Sequence, residues 1–451
     1  MEMRPKKNQP VAGWGNYPIA TCDLFRPEKL SQLKGFERSV IPRGLGRSYG
    51  DAAINSKESV VSMERLNRFL DFDEQNGILR AEAGVTIEDV LDTFVPRGWF
   101  VPVTPGTKHV TLGGCLASDV HGKNHHCNGV FSDYVKEVTL SLANGETRRC
   151  SPTQEAKLFW ATVGGMGLTG IITEITLQLI PVETGFIMVN NHATQSLEDT
   201  LKFLKDPKND DTYSVAWIDC LAKGKKLGRG IVMNGHHAAL SELSKNNQNP
   251  LKTPKIKQLS IPAKIPSMVL NATTIKLFND FYYWINSRKK VASIQDYQTY
   301  FYPLDSILNW NHFYGKKGFV QYQFVVPANN ADSAISKVLE KLANDKMFPF
   351  LAVLKRFGKQ GKGHLSFPAE GYTLALDIPV QTELPKTIAV IDDLVLENNG
   401  RVYLAKDALL HPDSFRVMYP NFASWLEVKQ DIDPNWVFSS DLSRRLKLEE
   451  G

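Results

Sequence analysis

The 451-residue sequence predicts a mixed α and β protein of two domains, and three observations point there. The chain is too long for a single compact core. The first 185 or so residues alternate short β-type runs with turn signals and a few helical stretches. From about Glu183 to Asn399 the character changes to longer mixed segments rich in aromatics. A hydrophobic content of 42% with 22% charged residues fits a soluble globular enzyme. The net charge of +5 falls short of the clustered positive stripe that marks a nucleic-acid binder, and fits anionic ligands or an anionic membrane surface better. Five scattered cysteines without a Cys-x-x-Cys pair favour a reducing compartment and no structural zinc. Met1 to Pro10 is polar and basic, and no apolar run is long enough to span a bilayer. The expectation is a cytoplasmic protein without signal peptide or transmembrane helix, able to make peripheral contact with a membrane.

The first element of chemical interest is Arg43-Gly-Leu-Gly-Arg-Ser-Tyr-Gly-Asp51, which follows Val40-Ile41. Gly44, Gly46 and Gly50 can turn the backbone tightly and aim N–H groups at one anion, with Arg43 and Arg47 as countercharge. A diphosphate cradle and an ordinary basic turn between strands both fit these residues. A P-loop does not, because the terminal Gly-Lys-Ser/Thr is missing. Thr86 caps an amphipathic helix to Phe94, with apolar Ile87, Val90, Leu91 and Phe94. A strand is expected over Trp99 to Val103, running into Thr104-Pro-Gly-Thr107. Thr111 to His126 is rich in small residues that let a backbone approach a flat ligand. Val138, Leu140 and Leu142, followed by Ala143-Asn-Gly-Glu146, read as a hairpin.

Gly165-Met-Gly-Leu-Thr-Gly170 is a literal Gly-x-Gly-x-x-Gly, but Ile171, Thr173, Ile175, Leu177 and Leu179 after it have strand periodicity where a dinucleotide fingerprint needs a helix. In the second half, Ser244 to Lys290 stands apart. A proline-bearing polar stretch with Lys252, Lys255 and Lys257 leads into Ile261 to Leu270, then Phe278, Phe281, Tyr282, Tyr283, Trp284 and Ile285, closed by Arg288-Lys-Lys290. Basic flanks around aromatics suggest a mobile lid or interfacial patch, and a helix packed in the core fits the same composition.

Taken together, these motifs resemble the FAD-dependent vanillyl-alcohol oxidase/p-cresol methylhydroxylase superfamily, and within it the decaprenylphosphoryl-ribose 2-oxidase family. The resemblance runs over nearly the whole chain. Arg43 to Asp51 and His121-Gly-Lys-Asn-His-His126 are its most specific parts, supported by Pro105-Gly-Thr107, Leu158 to Gly165, Gln321-Tyr-Gln-Phe324, Leu365-Ser-Phe-Pro368, Ala405-Lys-Asp407 and Asp441 to Leu446.

The resemblance implies an α+β flavoprotein: a p-cresol methylhydroxylase-type FAD-binding domain over 1–182, a substrate domain on an antiparallel sheet over 183–400 with a mobile segment at about 244–290, and a segment 401–451 that completes the FAD domain. FAD would lie on Arg43, Gly44, Leu45, Gly46, Arg47, Ser48, Tyr49, Gly50 and Asp51. Gly106, Thr111, Leu112, Gly113, Gly114, Ser118, Asp119, His121, Ile172 and Tyr403 would line the rest. Relatives that tether the flavin use a histidine in this loop, where this chain has Arg47-Ser-Tyr49, so noncovalent FAD is expected. The substrate implied is a polyprenyl-phosphate pentose oxidised to a keto-sugar, or alternatively a soluble sugar or aldonolactone. Quinone or dioxygen would reoxidise the flavin, and a separate NADH-dependent short-chain reductase would complete an epimerisation.

Alcohol oxidation also needs a group to take the hydroxyl proton and positive charge near the developing oxyanion. Lys406 is the first candidate, followed by His121 and Lys123. Because a free lysine has a pKa of ~10.4, burial or a nearby cation must lower that of Lys406 before it can act as a base. Trp217, Gln323, Lys355, Thr373 and Ala375 are implied on the substrate wall. Thr373 and Ala375 stand where the mycobacterial-type enzyme has asparagine and cysteine, and His312 stands where it has arginine. No metal is expected from His121, His125 and His126.

Overall fold

The computed structural model describes residues 8–450, apart from 34, 35, 37, 210, 245–248, 255–257, 262–270 and 289–291. Three sheets organise it. Near the N-terminus, four strands run in the spatial order Asn8–Ala12, Ile19–Phe25, Ser59–Ser62 and Val40–Arg43. The last of these ends where the glycine-arginine loop begins, so the sheet edge aims that loop. A second, five-stranded sheet has the order Phe69–Asp73, Ile78–Glu82, Ile171–Gln178, Val135–Ser141 and Thr147–Cys150.

The Ile171–Gln178 strand follows the Gly165–Gly170 motif directly, so those glycines open a strand and not a helix. Val135–Ser141 and Thr147–Cys150 form the expected hairpin, with Gly145 at φ 82 in its turn. Ile87–Phe94 is the expected helix: the Thr86 hydroxyl accepts from the Asp89 N–H, and the buried stripe is Ile87, Val90, Leu91 and Phe94. The strand expected over Trp99 to Val103 shrinks to Trp99–Phe100, paired only with Ile180–Pro181. Pro102 has no N–H to give a ladder, and this stretch instead turns toward the cavity described below.

An eight-stranded sheet, antiparallel at every pairing, runs in the order Ala292–Asp296, Phe186–Thr194, Gly230–His237, Tyr213–Ile218, Ala352–Phe357, Gly371–Pro379, Phe319–Val326 and Arg401–Val402. Strand side chains alternate between faces. One face of its central strands carries Ala216, Ile218, Ala352, Leu354, Leu374, Leu376, Tyr322 and Phe324 into a core shared with Ile335, Val338, Ile388 and Ile391 of the helices Ala331–Asn344 and Leu384–Glu397. The other face carries Trp217, Val353, Lys355, Ala375, Gln321 and Gln323 into the cavity.

After the Arg401–Val402 strand the chain returns to the first sheets. The Val40 N–H donates to Val437 O at 2.7 Å, and Trp425 Nε1 donates to Ala161 O at 3.1 Å. Buried Lys429 donates to Leu168 O and Phe438 O, each at 2.8 Å, and pairs with Asp433. Of the distinctive 244–290 stretch, Lys255, Lys257, 262–270 and Lys289-Lys290 lie outside the described residues. Its aromatic part is a regular helix, Ala272–Asn286, capped by the Asn271 side chain.

Candidate active site

A cavity of about 560 Å³ is lined by loop residues between Arg43 and Lys123 and by the open face of the eight-stranded sheet. On the loop side, Tyr49 N–H donates to Ala405 O at 3.0 Å, so the glycine-arginine loop and the Tyr403–Asp407 turn are joined. Arg445 tightens the junction: it bonds Asp51 through Nε and Nη2, at 2.8 and 2.9 Å, and Asp407 through Nη2 at 2.8 Å. The Tyr403 hydroxyl donates to Ser118 O at 2.8 Å, which fixes the same turn to the small-residue segment.

Most of the residues expected at the site line this cavity. They are Arg43, Gly44, Leu45, Gly46, Arg47, Ser48, Tyr49, Gly106, Thr111, Gly113, Gly114, Ser118, His121, Ile172 and Tyr403, with Lys123, Lys406, Trp217, Gln323, Lys355 and Ala375. Five do not reach it. Gly50 sits where a Cβ would meet Asp407 O at 1.7 Å, so its role is close backbone contact. Asp51 is held behind the loop by Arg445. Leu112 is fully buried in the core of the five-stranded sheet. Asp119 accepts from the Ser132 N–H and the Ser366 hydroxyl. Thr373 forms the layer behind, accepting from Gln323 Nε2 at 3.1 Å and donating to Phe324 O at 2.8 Å.

The expected countercharge also divides. Arg43 directs its guanidinium at Ala53 O and Ala12 O, 3.1 and 2.6 Å away, and burial lowers its pKa to about 10. It braces the loop from within. Arg47 stacks over Trp14, 4.2 Å from the ring centroid, and donates one bond to Leu45 O. It is the better placed of the two to meet an anion. Gly46 adopts φ +63, a conformation that L side chains rarely take, and a Cβ there would lie 1.9 Å from Arg43 Nη2.

The electrostatics of the far wall follow from burial. Lys123, Lys355 and Lys406 converge on the cavity, and burial lowers them to about 7, 8 and 7 respectively. Lys355 further lowers both other lysines, while Asp377 works in the opposite sense on Lys406. Lys406 Nζ rests 3.8 Å from the centroid of the Tyr49 ring, and Lys123 Nζ 3.9 Å from that of Tyr300, whose carbonyl it also bonds. His121 Nε2 lies 2.9 Å from Gln323 Nε2. An amide nitrogen can only donate, so that orientation makes Nε2 the acceptor and leaves the ring proton on Nδ1. Burial, Lys355, His125 and Lys406 all depress the His121 pKa well below the ordinary value, so the ring is neutral at pH 7. His125 Nδ1 accepts from the Gly358 N–H at 3.1 Å.

Phe278 and Tyr282, expected in a lid or interfacial patch, line the cavity; sequence reasoning missed Gln321, Trp14 and Trp310, which also line it, and Asp377, which stands opposite Gln321 on the neighbouring strand. The i,i+2 spacing of Gln321 and Gln323 in an apolar strand was the one available signal.

The cavity fits an extended flavin nucleotide. Its lining includes glycine backbone and Arg47, which suit a diphosphate, and apolar Ile172, Met166 and Ala117, which suit a flat ring. The buried Nδ1 of His121 has no partner among the described residues, so a polar atom is free to face a ligand there.

Comparison with known proteins agrees with this geometry. Residues 30–151 match an FAD binding domain, and residues 175–446 match the family of D-arabinono-1,4-lactone oxidase. The chain is 38% identical to the decaprenylphosphoryl-beta-D-ribose oxidase of Mycolicibacterium smegmatis, with 98% of each chain covered. It is 22% identical to the L-gulonolactone oxidase of Scyliorhinus torazame, over 88% of this chain and 86% of that one. With FAD as its cofactor, the chain belongs to the family of FAD-dependent oxidoreductases that includes decaprenylphosphoryl-beta-D-ribose oxidase and the sugar-lactone oxidases.

Proposed function

We propose that this chain oxidises the 2'-hydroxyl of a polyprenyl-phosphate ribose to a keto-sugar, with noncovalent FAD. The substrate reading rests on the full-length likeness to a decaprenylphosphoryl-beta-D-ribose oxidase. The noncovalent reading rests on Tyr49 standing where a tethering histidine would be, with its ring beneath Lys406. Bound FAD supplies a two-electron acceptor for the hydride released from the alcohol carbon.

The observation that carries the mechanism is the position of Lys406 in the same cavity as Lys123, Lys355 and neutral His121. With its pKa lowered to about 7, a sizeable fraction of Lys406 is neutral at working pH and can take the hydroxyl proton. Lys123 and Lys355 stabilise negative charge that develops on the oxygen or on the cofactor, in a site largely shielded from water. His121, fixed by Gln323, offers Nδ1–H as a neutral donor. Gln323, Trp217 and Ala375 give the sugar its wall, and Arg47 with the glycine backbone holds the diphosphate.

We read 1–182 with 401–451 as the cofactor domain and 183–400 as the substrate domain, consistent with the two sheet systems and the returning segment. A lipid-linked substrate is further supported by the Ala272–Asn286 helix. Phe278 and Tyr282 face the cavity, while Leu277, Phe281 and Trp284 are 65%, 58% and 53% exposed on another face, with Arg288 over Trp284. Such a face suits the headgroup region of a membrane, where the prenyl tail resides. No helix among the described residues is long and apolar enough to cross a membrane, so the contact we infer is peripheral. We infer a cytoplasmic setting from the free cysteines. Quinone or dioxygen would reoxidise the flavin. A separate NADH-dependent reductase would return hydride to the keto-sugar, since the glycine motif at Gly165 opens a strand.

Anaerobic bleaching of the yellow protein by ribosyl polyprenyl phosphate, compared with free pentoses and aldonolactones, tests the reading. Selective bleaching by the lipid-linked sugar is expected. Equal or better bleaching by a free lactone would transfer the assignment to a soluble sugar or aldonolactone oxidase, which the match over 175–446 favours.

A further inference from the structure

We propose that Asp377 is a positioning residue for proton transfer at Lys406, acting with Gln321 as a buried carboxyl–amide unit that governs how readily Nζ holds its proton. The inference rests on Lys406 being the group that handles the substrate proton.

Gln321 and Asp377 are cross-strand partners in the Phe319–Val326 and Gly371–Pro379 pair. Gln321 Nε2 donates to Asp377 Oδ1 at 2.5 Å, and the carboxyl is 1% exposed. The second oxygen, Oδ2, has no hydrogen-bond partner among the described residues. The Tyr314 hydroxyl approaches the carboxyl without reaching bonding geometry and weakly favours its ionised form. Contrast the other buried acids nearby. Asp51 and Asp407 are both held by Arg445, and Asp407 Oδ1 also accepts the N–H groups of Leu409 and Leu410. Those two carboxylates share a guanidinium as their partner. Asp377 has an open oxygen and one amide donor, Gln321, and that donor lines the same cavity as Lys406 and the Tyr49 ring on which Nζ rests.

The groups around the pair come from several elements. Lys355, from the neighbouring strand, opposes the charge on Lys406, and His121 feels that charge in turn. Tyr49 lies under Nζ; its phenol is kept protonated by burial and by Asp377, with Gln321 as its partner, while Arg47 and Asp305 act on it with opposite sign. Lys123 interacts with Lys355. Asp377 is therefore the acid that can balance an ammonium at Nζ inside a cluster of cations. When the substrate O–H breaks and its proton forms an N–H on Lys406, an ionised Asp377 supplies the countercharge. Burial raises Asp377 to about 7 and lowers Lys406 to about 7, so the two groups exchange protons with solvent over the same range.

The test is Asp377→Asn, which keeps the shape and the acceptor for Gln321 but removes the charge, with Asp377→Glu as the variant that restores it. Anaerobic bleaching rates by the lipid-linked sugar and thermal unfolding are both followed from pH 5 to 9. In Asp377→Asn the ionisation assigned to Lys406 should move to lower pH by about one to three units, the size of a nearby opposite charge. In Asp377→Glu it should return toward the parent value. The unfolding midpoint of Asp377→Asn relative to the parent should rise with pH from 5 to 7, because the parent then bears the cost of ionising a buried carboxyl. A slower rate with an unmoved ionisation would reduce Asp377 to a structural role and overturn the proposal. So would a relative midpoint that does not rise between pH 5 and 7, the mark of an acid already ionised throughout that range. If Asp377→Asn fails to retain flavin, unfolding of the flavin-free form and the pH profile of Asp377→Glu decide: a profile moved away from the parent despite the carboxylate contradicts the assignment. Complete absence of bleaching by the lipid-linked sugar in the parent protein would instead refute the substrate reading, leaving the unfolding arm to judge Asp377.

Discussion

The two walls of the cavity handle charge in opposite ways. Around the glycine-arginine loop the charges are matched within the protein: Arg43 caps two backbone carbonyls, and Arg445 joins Asp51 to Asp407. Of that loop's two arginines, Arg47 is the one turned to the cavity, resting on Trp14. The sheet (Lys355), the Lys406 turn and the segment before His125 (Lys123) bring three lysines to the cavity, with Asp377 as the acid that acts on Lys406. A wall whose charges are satisfied can be rigid and hold a large cofactor with preset backbone groups. Unsatisfied charge costs stability, but it gives lysines that change protonation near neutrality, which proton transfer requires.

The largest effect should come from the reactive side of this contrast. Lys406→Met should retain FAD while slowing anaerobic bleaching by at least ~10²-fold, the lower end for loss of acid–base assistance. Near-normal bleaching would move the role to His121 or Lys123. On the matched side, Arg445→Met leaves two buried carboxylates without their cation, and breaking a buried pair in this way costs about 3–5 kcal/mol. Urea unfolding should register that loss, together with weaker FAD retention. An unchanged midpoint would mean that the clamp does not hold the loop.

Smaller effects sharpen the difference. Lys355→Met removes a cation that lowers the pKa of Lys406, Lys123 and His121, so the ionisation seen in bleaching should move to higher pH. The stability consequence has a definite sign. A lysine whose folded pKa is depressed to about 8 destabilises the fold fully below that value, and is relieved as pH rises toward its unfolded pKa. Lys355→Met should therefore gain most stability over the parent at neutral pH and below, and least at pH 10. Gly46→Ala, at φ +63 and against the Arg43 guanidinium, should cost about 1–3 kcal/mol and weaken FAD binding, with little change in the pH profile of whatever flavin remains bound.

The loop wall was also the more legible from sequence. Its chemistry is local: Arg43 to Asp51 carries its glycines and arginines in one nonapeptide, and Thr86, the Gly165–Gly170 motif and the Ala143–Glu146 turn each announce their own geometry. The sheet wall is assembled from residues far apart, and its members meet only through strand register. Gln321 faces Asp377, and Lys355 faces Thr373, because antiparallel pairing sets them opposite each other. Nothing in the sequence around Asp377 gives that register, and a one-residue slip would turn the same side chains into the helix-covered core. Arg445 lies in the Asp441 to Leu446 run, and no local pattern points to its two acids, which lie 394 and 38 positions away. The strand expected over Trp99 to Val103 stops at Phe100, because Pro102 has no N–H to give a ladder.

The central claim is that Lys406, buried among cations, exchanges the substrate proton near neutral pH. The most direct measurement is the pH dependence of the anaerobic bleaching rate with ribosyl polyprenyl phosphate, in the parent protein and in Lys406→Met. The parent should show an ionisation near pH 7, with the rate rising as Lys406 loses its proton, and that ionisation should be absent from the residual rate of Lys406→Met. The same ionisation persisting in Lys406→Met would contradict the account.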